Sequence, residues 1–163
     1  MSGKIAVGIS DYKTSKSPDT LVTYALGSCV GIFLYDPASR IGGLSHIMLP
    51  SSSLRTNDAA DNRMKYADTA ISDMLASMES LGAGRDFIHA KIAGGANMFG
   101  KMDGSFIDTI GDRNVDAVRQ ELARLGIPLI AEDVGANYGR TVHFNLKDGS
   151  VEIQSIGKEK REL

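Results

Sequence analysis

A single cysteine in a chain of 163 residues excludes an internal disulfide and any cysteine-rich zinc site, so the fold has to stand on its hydrophobic core. Eighteen basic side chains against 20 acidic ones leave a formal charge of −2, without the basic surplus that holds a nucleic-acid backbone. No apolar run nears the roughly 20 residues of a membrane span. The N-terminus also lacks a charged region followed by an apolar core. The expectation is therefore a cytoplasmic chain with no membrane insertion and no nucleic-acid partner. Hydrophobic content of 42% and charged content of 23% put disordered and fibrous classes aside. What remains is one globular domain, rich in one residue type. Its 18 glycines make about 11% of the chain against a usual ~7%, which implies tight turns or close backbone approaches.

Hydrophobic periodicity predicts the elements. Ile5, Val7 and Ile9 alternate as in a half-buried strand, and residues 19–26 read as a strand or extended approach. The nearly continuous apolar run 30–35 suggests a strand buried on both faces, with 41–49 returning after a turn at Asp36-Pro37-Ala38-Ser39. A helix is predicted over 62–81, with Met64, Ala67, Ile71, Met74 or Leu75, Met78 and Leu81 as its apolar stripe. Asp61 or Asn62 would cap it and Gly82 would end it. Residues 87–93 read as a strand. A second helix is placed from about Asn114, with Val115, Val118, Leu122 and Leu125 inward, stopped by Gly126 and Pro128. Residues 128–134, 141–146 and 150–156 complete a set of seven or so strands, the last two joined by an Asp148-Gly149 hairpin. Residues 157–163 form a charged tail, expected to fray. The pattern predicts an α+β layered fold with largely antiparallel strands and helices on the outer faces.

Two residues carry the candidate chemistry. Cys29 precedes the doubly buried strand and His46 lies on the strand that returns. With the turn centred between Pro37 and Ala38, residue 29 faces residue 46. Centred one residue later, 29 faces 48 and His46 becomes the diagonal neighbour. Any even-membered loop keeps both side chains on one face, whereas an odd loop or a bulge at Gly42-Gly43 separates them. A paired imidazolium would stabilise a thiolate and hold a proton for a leaving group. A lone cysteine, however, is also a small buried hydrophobe, and a strand histidine is also a packing residue. The Thr23 hydroxyl can accept the imidazole N–H, although threonine in a strand is ordinarily a β-former. Gly27 and Ser28 put adaptable backbone beside Cys29, whose N–H can face an oxyanion. His89 and His143 read as structural.

These residues, taken with the segments around them, resemble the chemoreceptor glutamine deamidases of the CheD family. The resemblance runs through Thr23, Leu26-Gly27-Ser28-Cys29-Val30 and the segment from Gly42 to Pro50. It continues in Lys91 to Phe99, Ile110-Gly111, Arg113-Asn114 and Gly139-Arg140. It implies a single deamidase domain over residues 1–156 and a layered α/β sandwich with helices outside paired sheets. By it Cys29 is the nucleophile, His46 the acid and base, and Thr23 the residue that orients His46, in a site related to that of deamidating toxins. The implied reaction hydrolyses glutamine side-chain amides through a cysteine thioester, with no cofactor and no metal. The implied substrate is the cytoplasmic helices of chemotaxis receptors, with receptor methylester hydrolysis credited to some relatives. A CheC-type phosphatase is the implied partner, and Met98 and Phe99 offer an apolar contact for a protein. Two other readings stand beside this one. The first is a non-catalytic adaptor for receptors or a phosphatase on the same fold. The second is a thiol hydrolase acting on a small molecule or a peptide bond.

Overall fold

The computed structural model describes residues 3–54, 62–98 and 109–163. The chain runs through β1 (Lys4–Ala6), β2 (Asp11–Lys16), β3 (Thr20–Leu26), β4 (Val30–Asp36) and β5 (Ile41–Ile47) before α1 (Ala67–Ser80). Then follow β6 (His89–Gly94), α2 (Ile110–Arg124), β7 (Leu129–Val134), β8 (Arg140–Asn145), β9 (Val151–Gln154) and β10 (Arg161–Glu162). Two five-stranded sheets result, one ordered β1-β3-β8-β9-β10 and the other β2-β5-β4-β6-β7. Pairing is antiparallel except for β1 with β3 and β6 with β7, which bears out the α+β expectation.

Alternation along β4 and β5 builds two cores. Phe33, Tyr35 and Leu44 meet Leu21, Val142, Phe144 and Ile153 between the sheets. Val30, Ile32, Leu34 and Ile47 point the other way, under α1 and α2. β4 is buried along its whole length, as its unbroken apolar run predicts. Both helices occupy the same outer face, where the sequence expectation put helices on the outer faces in general. The reason lies in the strands. β8 and β9 alternate buried with half-buried residues, so the outer face of their sheet tolerates water, while that of β4 does not.

Local signals explain several boundaries. Asn62 caps a separate 3₁₀ turn, Arg63–Lys65, by accepting from the Met64 N–H at 2.9 Å, and α1 proper starts only at Ala67. Leu81, assigned to the buried stripe, is 41% exposed. α2 starts four residues before Asn114, because Thr109 and Asp112 close a reciprocal capping box. β2 escaped the sequence reading. Its residues, Asp-Tyr-Lys-Thr-Ser-Lys, are those of a polar edge strand with little hydrophobic signal. The tail does not fray as expected: Arg161–Glu162 pairs with β9, and Leu163 exchanges two main-chain hydrogen bonds with Val151.

The β4–β5 hairpin sets up the site. Its ladder runs without a bulge from Asp36 opposite Ile41 to Val30 opposite Ile47, closed by a four-residue loop. The turn centre therefore lies between Ala38 and Ser39, the later of the two registers considered. Asp36 holds the loop by accepting from the Ala38 N–H and the Ser39 hydroxyl. At Gly42 an added Cβ would come within 2.5 Å of Leu146 Cδ2, so the opposite sheet packs directly on β5 there.

Candidate active site

His46 faces Gly31 across the ladder, and Cys29 lies one residue past the last paired position, Val30, packed against the inter-sheet cluster. Continued through Cys29, that register makes thiol and imidazole diagonal neighbours, a relation with Cβ atoms typically about 7–8 Å apart. Cys29 remains half-buried. His46 is only 1% exposed.

The third residue comes from the other sheet. Thr23 lies on β3 opposite Val142, just before a bulge where Ala25 takes φ +56° and the chain leaves to cross over. The Thr23 hydroxyl donates to the Val7 carbonyl at 2.7 Å and lies 2.7 Å from His46 Nδ1. A hydroxyl has one proton, and Val7 takes it, so the second contact is a bond that Thr23 accepts from Nδ1–H. This assigns the tautomer. Nε2 carries the lone pair and, though buried, has no hydrogen-bond partner among the described residues.

Electrostatics correct one expectation. Burial pushes the Cys29 thiol above its ordinary pKa, opposed by its own amide N–H, and desolvation brings His46 down to about 4. The resting pair is therefore a neutral thiol and a neutral imidazole instead of an ion pair. Among the described residues no carboxylate is hydrogen-bonded to the ring, and an imidazolium formed there is a ready proton donor.

The Cys29 loop is held by its carbonyls. Gly27 O accepts from Ala96 N and Cys29 O from Gly95 N, both at 2.8 Å. Ser28 O accepts from Asn114 Nδ2 at 2.9 Å. With these three oxygens committed, the amide N–H groups of residues 27–29 meet no acceptor from another residue among the described ones. Gly94 and Gly95 both have positive φ, and a Cβ on Gly94 would come within 2.3 Å of Cys29 O. Gly111 lets the first turn of α2 rest on the same segment, since a Cβ there would lie 2.5 Å from Gly95 O.

The structure thus joins Thr23 to His46 and puts Gly27, Ser28 and Cys29 in the loop that leads into the strand paired with that of His46. His89 and His143 stay apart: His89 pairs with Tyr35 at the far end of β4, and His143 pairs with Val22, one position from Thr23 and so on the other face. Sequence reasoning missed Asn114 as part of the site. Its signal was a polar residue on the apolar stripe of α2, beside Val115 and Val118, where it is fully buried. Met98 is 48% exposed and neighbours Gly27, while Phe99 lies outside the described residues. No helix among the described residues is long and apolar enough to cross a membrane.

These features define an α+β sandwich in which an imidazole and a hydroxyl from different sheets are hydrogen-bonded, with the chain's one thiol in the loop that passes from one sheet to the other. Residues 48–155 match the family described as CheD chemotactic sensory transduction, and the chain belongs to the CheD family. A probable chemoreceptor glutamine deamidase CheD from Clostridium botulinum strain Hall is 48% identical over 160 residues, 98% of each chain. Its counterpart from Clostridium novyi strain NT is 49% identical over 154 residues, 94% of each. Among solved structures, a Neisseria meningitidis protein of the DUF152 family has a TM-score of 0.51 at 8% identity, covering 81% of this chain and 64% of that one. That likeness concerns the fold alone.

Proposed function

We propose that the protein hydrolyses glutamine side-chain amides of chemotaxis receptors to glutamate, with Cys29 as nucleophile, His46 as acid and base, and Thr23 orienting His46. The observation that carries this reading is the bond between Thr23 and His46, which leaves Nε2 as the acceptor for the proton of the half-buried Cys29. The names and near full-length similarity of the Clostridium relatives support the substrate.

The neutral pair dictates the order of events. As the glutamine amide enters, Nε2 takes the thiol proton while sulfur attacks the amide carbon, and the carbonyl becomes an oxyanion. The amide N–H groups of Gly27, Ser28 and Cys29 are the donors at hand for it. His46, now charged, returns the proton to nitrogen as the C–N bond breaks and ammonia leaves. The Cys29 thioester then meets water, whose proton goes to Nε2, and collapse of the second adduct gives glutamate and the free thiol. The low proton affinity of His46 suits the donation step, and Thr23 accepts from Nδ1–H throughout. The sequence requires no cofactor.

Exposed Met98 beside Gly27, with Tyr24 58% exposed across the β3 bulge, suits a protein surface better than a small molecule. The receptor helix is one such partner and a CheC-type phosphatase the other, which places the protein in the cytoplasm. Incubating a receptor cytoplasmic domain with wild type and with Cys29→Ala tests the function. Intact-mass spectrometry should show a gain of about one dalton per modified glutamine with wild type only. An unchanged mass with bound receptor overturns the enzyme reading in favour of an adaptor.

A further inference from the structure

The β4–β5 ladder stops at Val30 opposite Ile47. Beyond it the two chains have to separate, or Cys29 would be closed in by the strand that carries His46. Separation leaves main-chain carbonyls on both sides without ladder partners, in a region where unpaired polar groups are costly. One side chain meets both. Asn114 Nδ2 donates to Ser28 O and to Met48 O, each at 2.9 Å. Ser28 precedes the thiol by one residue and Met48 follows the imidazole by two, so a single amide nitrogen bridges the two arms that carry the chemistry.

We infer that Asn114 is a positioning residue that sets the separation of Cys29 and His46 by stapling the diverged ends of β4 and β5. The inference rests on the deamidase reading for its kinetic consequence, though not for its geometry.

The residue type fits the task. The two hydrogens on one planar nitrogen serve two carbonyls at once, a hydroxyl supplies only one, and a carboxylate supplies none. Flipping the amide would set Oδ1 against both carbonyl oxygens, so the network fixes its orientation. Oδ1 is then buried without a partner among the described residues, an unfavourable arrangement for a residue serving only to fill space. Asn114 is 0% exposed on α2, which rests through Gly111 on the same turn that holds Gly27 O and Cys29 O. The staple is therefore anchored to a rigid element and not to a mobile loop. Glutamine in its place would put the nitrogen one methylene further out, past both carbonyls.

The test compares Asn114→Ala and the isosteric Asn114→Asp with Leu122→Ala, a buried truncation on the same helix away from the clamp. All are assayed well below their melting temperatures. For both Asn114 variants kcat on a receptor domain should fall at least tenfold while KM stays within about threefold, since the groups that bind substrate are untouched. Leu122→Ala should lower the melting temperature and leave kcat within about threefold. A second readout needs no turnover. Releasing Ser28 O frees the loop to expose the thiol, so the iodoacetamide rate at Cys29 at pH 7 should rise severalfold in both Asn114 variants and not in Leu122→Ala. Loss of kcat no greater than in Leu122→Ala, or an unchanged alkylation rate, overturns the inference. Should wild type deamidate nothing, the functional reading fails, while the alkylation comparison still decides whether Asn114 holds the loop.

Discussion

Thr23 and His46 belong to different sheets, yet the Thr23 oxygen takes the Nδ1 proton of His46 while its own proton goes to Val7. The arrangement does what a carboxylate does in many triads, without placing a charge in the gap. An imidazolium therefore gains no ion pair, which is consistent with a proton affinity as low as that of His46.

Thr23→Val keeps the shape and deletes the hydroxyl. Nδ1–H and Val7 O are then left buried and unpaired, and the ring loses its tautomer control. We expect kcat to fall by about 10²-fold or more and stability by about 1–3 kcal/mol. Thr23→Ser should recover most of both. Ammonia release and urea unfolding measure the two effects, and a fully active valine variant would remove Thr23 from the mechanism.

His46 also makes stability depend on pH. Its pKa is about 4 folded against 6.5 unfolded, so between these values the unfolded chain binds a proton that the folded one does not. Stability is unaffected above pH 6.5 and falls as the pH drops from 6.5 toward 4, by at most about 3 kcal/mol. Carboxylates such as Asp36 and Asp133, held below their ordinary range despite partial burial by hydrogen bonds to Asp36 and by arginine partners to Asp133, lose their contributions only at still lower pH. Unfolding of wild type and His46→Gln at pH 7.5, 6, 5 and 4.5 should show the difference between them changing across this window. A constant difference would mean that His46 titrates in the folded protein as it does in the unfolded chain.

A neutral thiol beside a neutral imidazole predicts slow alkylation at pH 7. The iodoacetamide rate at Cys29 should lie below that of a free cysteine and climb only above the ordinary thiol range. His46→Ala should change the pH 7 rate by less than about threefold, since no ion pair is lost. A plateau already reached below pH 7 would restore the thiolate–imidazolium pair.

Two glycines separate backbone contact from side-chain contact. In Gly94→Ala the new Cβ meets the Cys29 carbonyl at 2.3 Å with φ at +110°, so the loop has to move. In Gly43→Ala it meets Met74 Sδ at 2.8 Å, the end of a flexible chain. The first should cost about 2–4 kcal/mol and nearly all activity, the second about 1–2 kcal/mol and little activity. Thermal melts and turnover decide; equal losses at both sites would count against a rigid Cys29 loop.

The C-terminal residues are a last, simple case. Lys91 Nζ donates to the main-chain oxygens of Leu163 and Gly149 at 2.8 and 2.9 Å, and Arg161 pairs with Asp133. Deleting 161–163 should lower stability by about 1–3 kcal/mol and leave kcat within about threefold. A melt unchanged by the deletion would show that the β9–β10 pairing contributes nothing.

What was legible in the sequence is whatever depends on neighbours along the chain. An unbroken apolar run between two short turns means a strand buried on both faces, and an even loop puts residues 29 and 46 on one side whichever register forms. Caps and stops at Gly82, Gly126 and Gly149 follow from the left-handed backbone that each adopts. Polar β2 and the paired tail had no hydrophobic period to announce them. The rest of the site lies beyond local pattern. Thr23 reaches His46 from a second sheet, and Asn114 reaches Ser28 across 86 residues of chain. The charge state of the pair is decided by how much water the folded sheets exclude, a quantity no linear spacing contains.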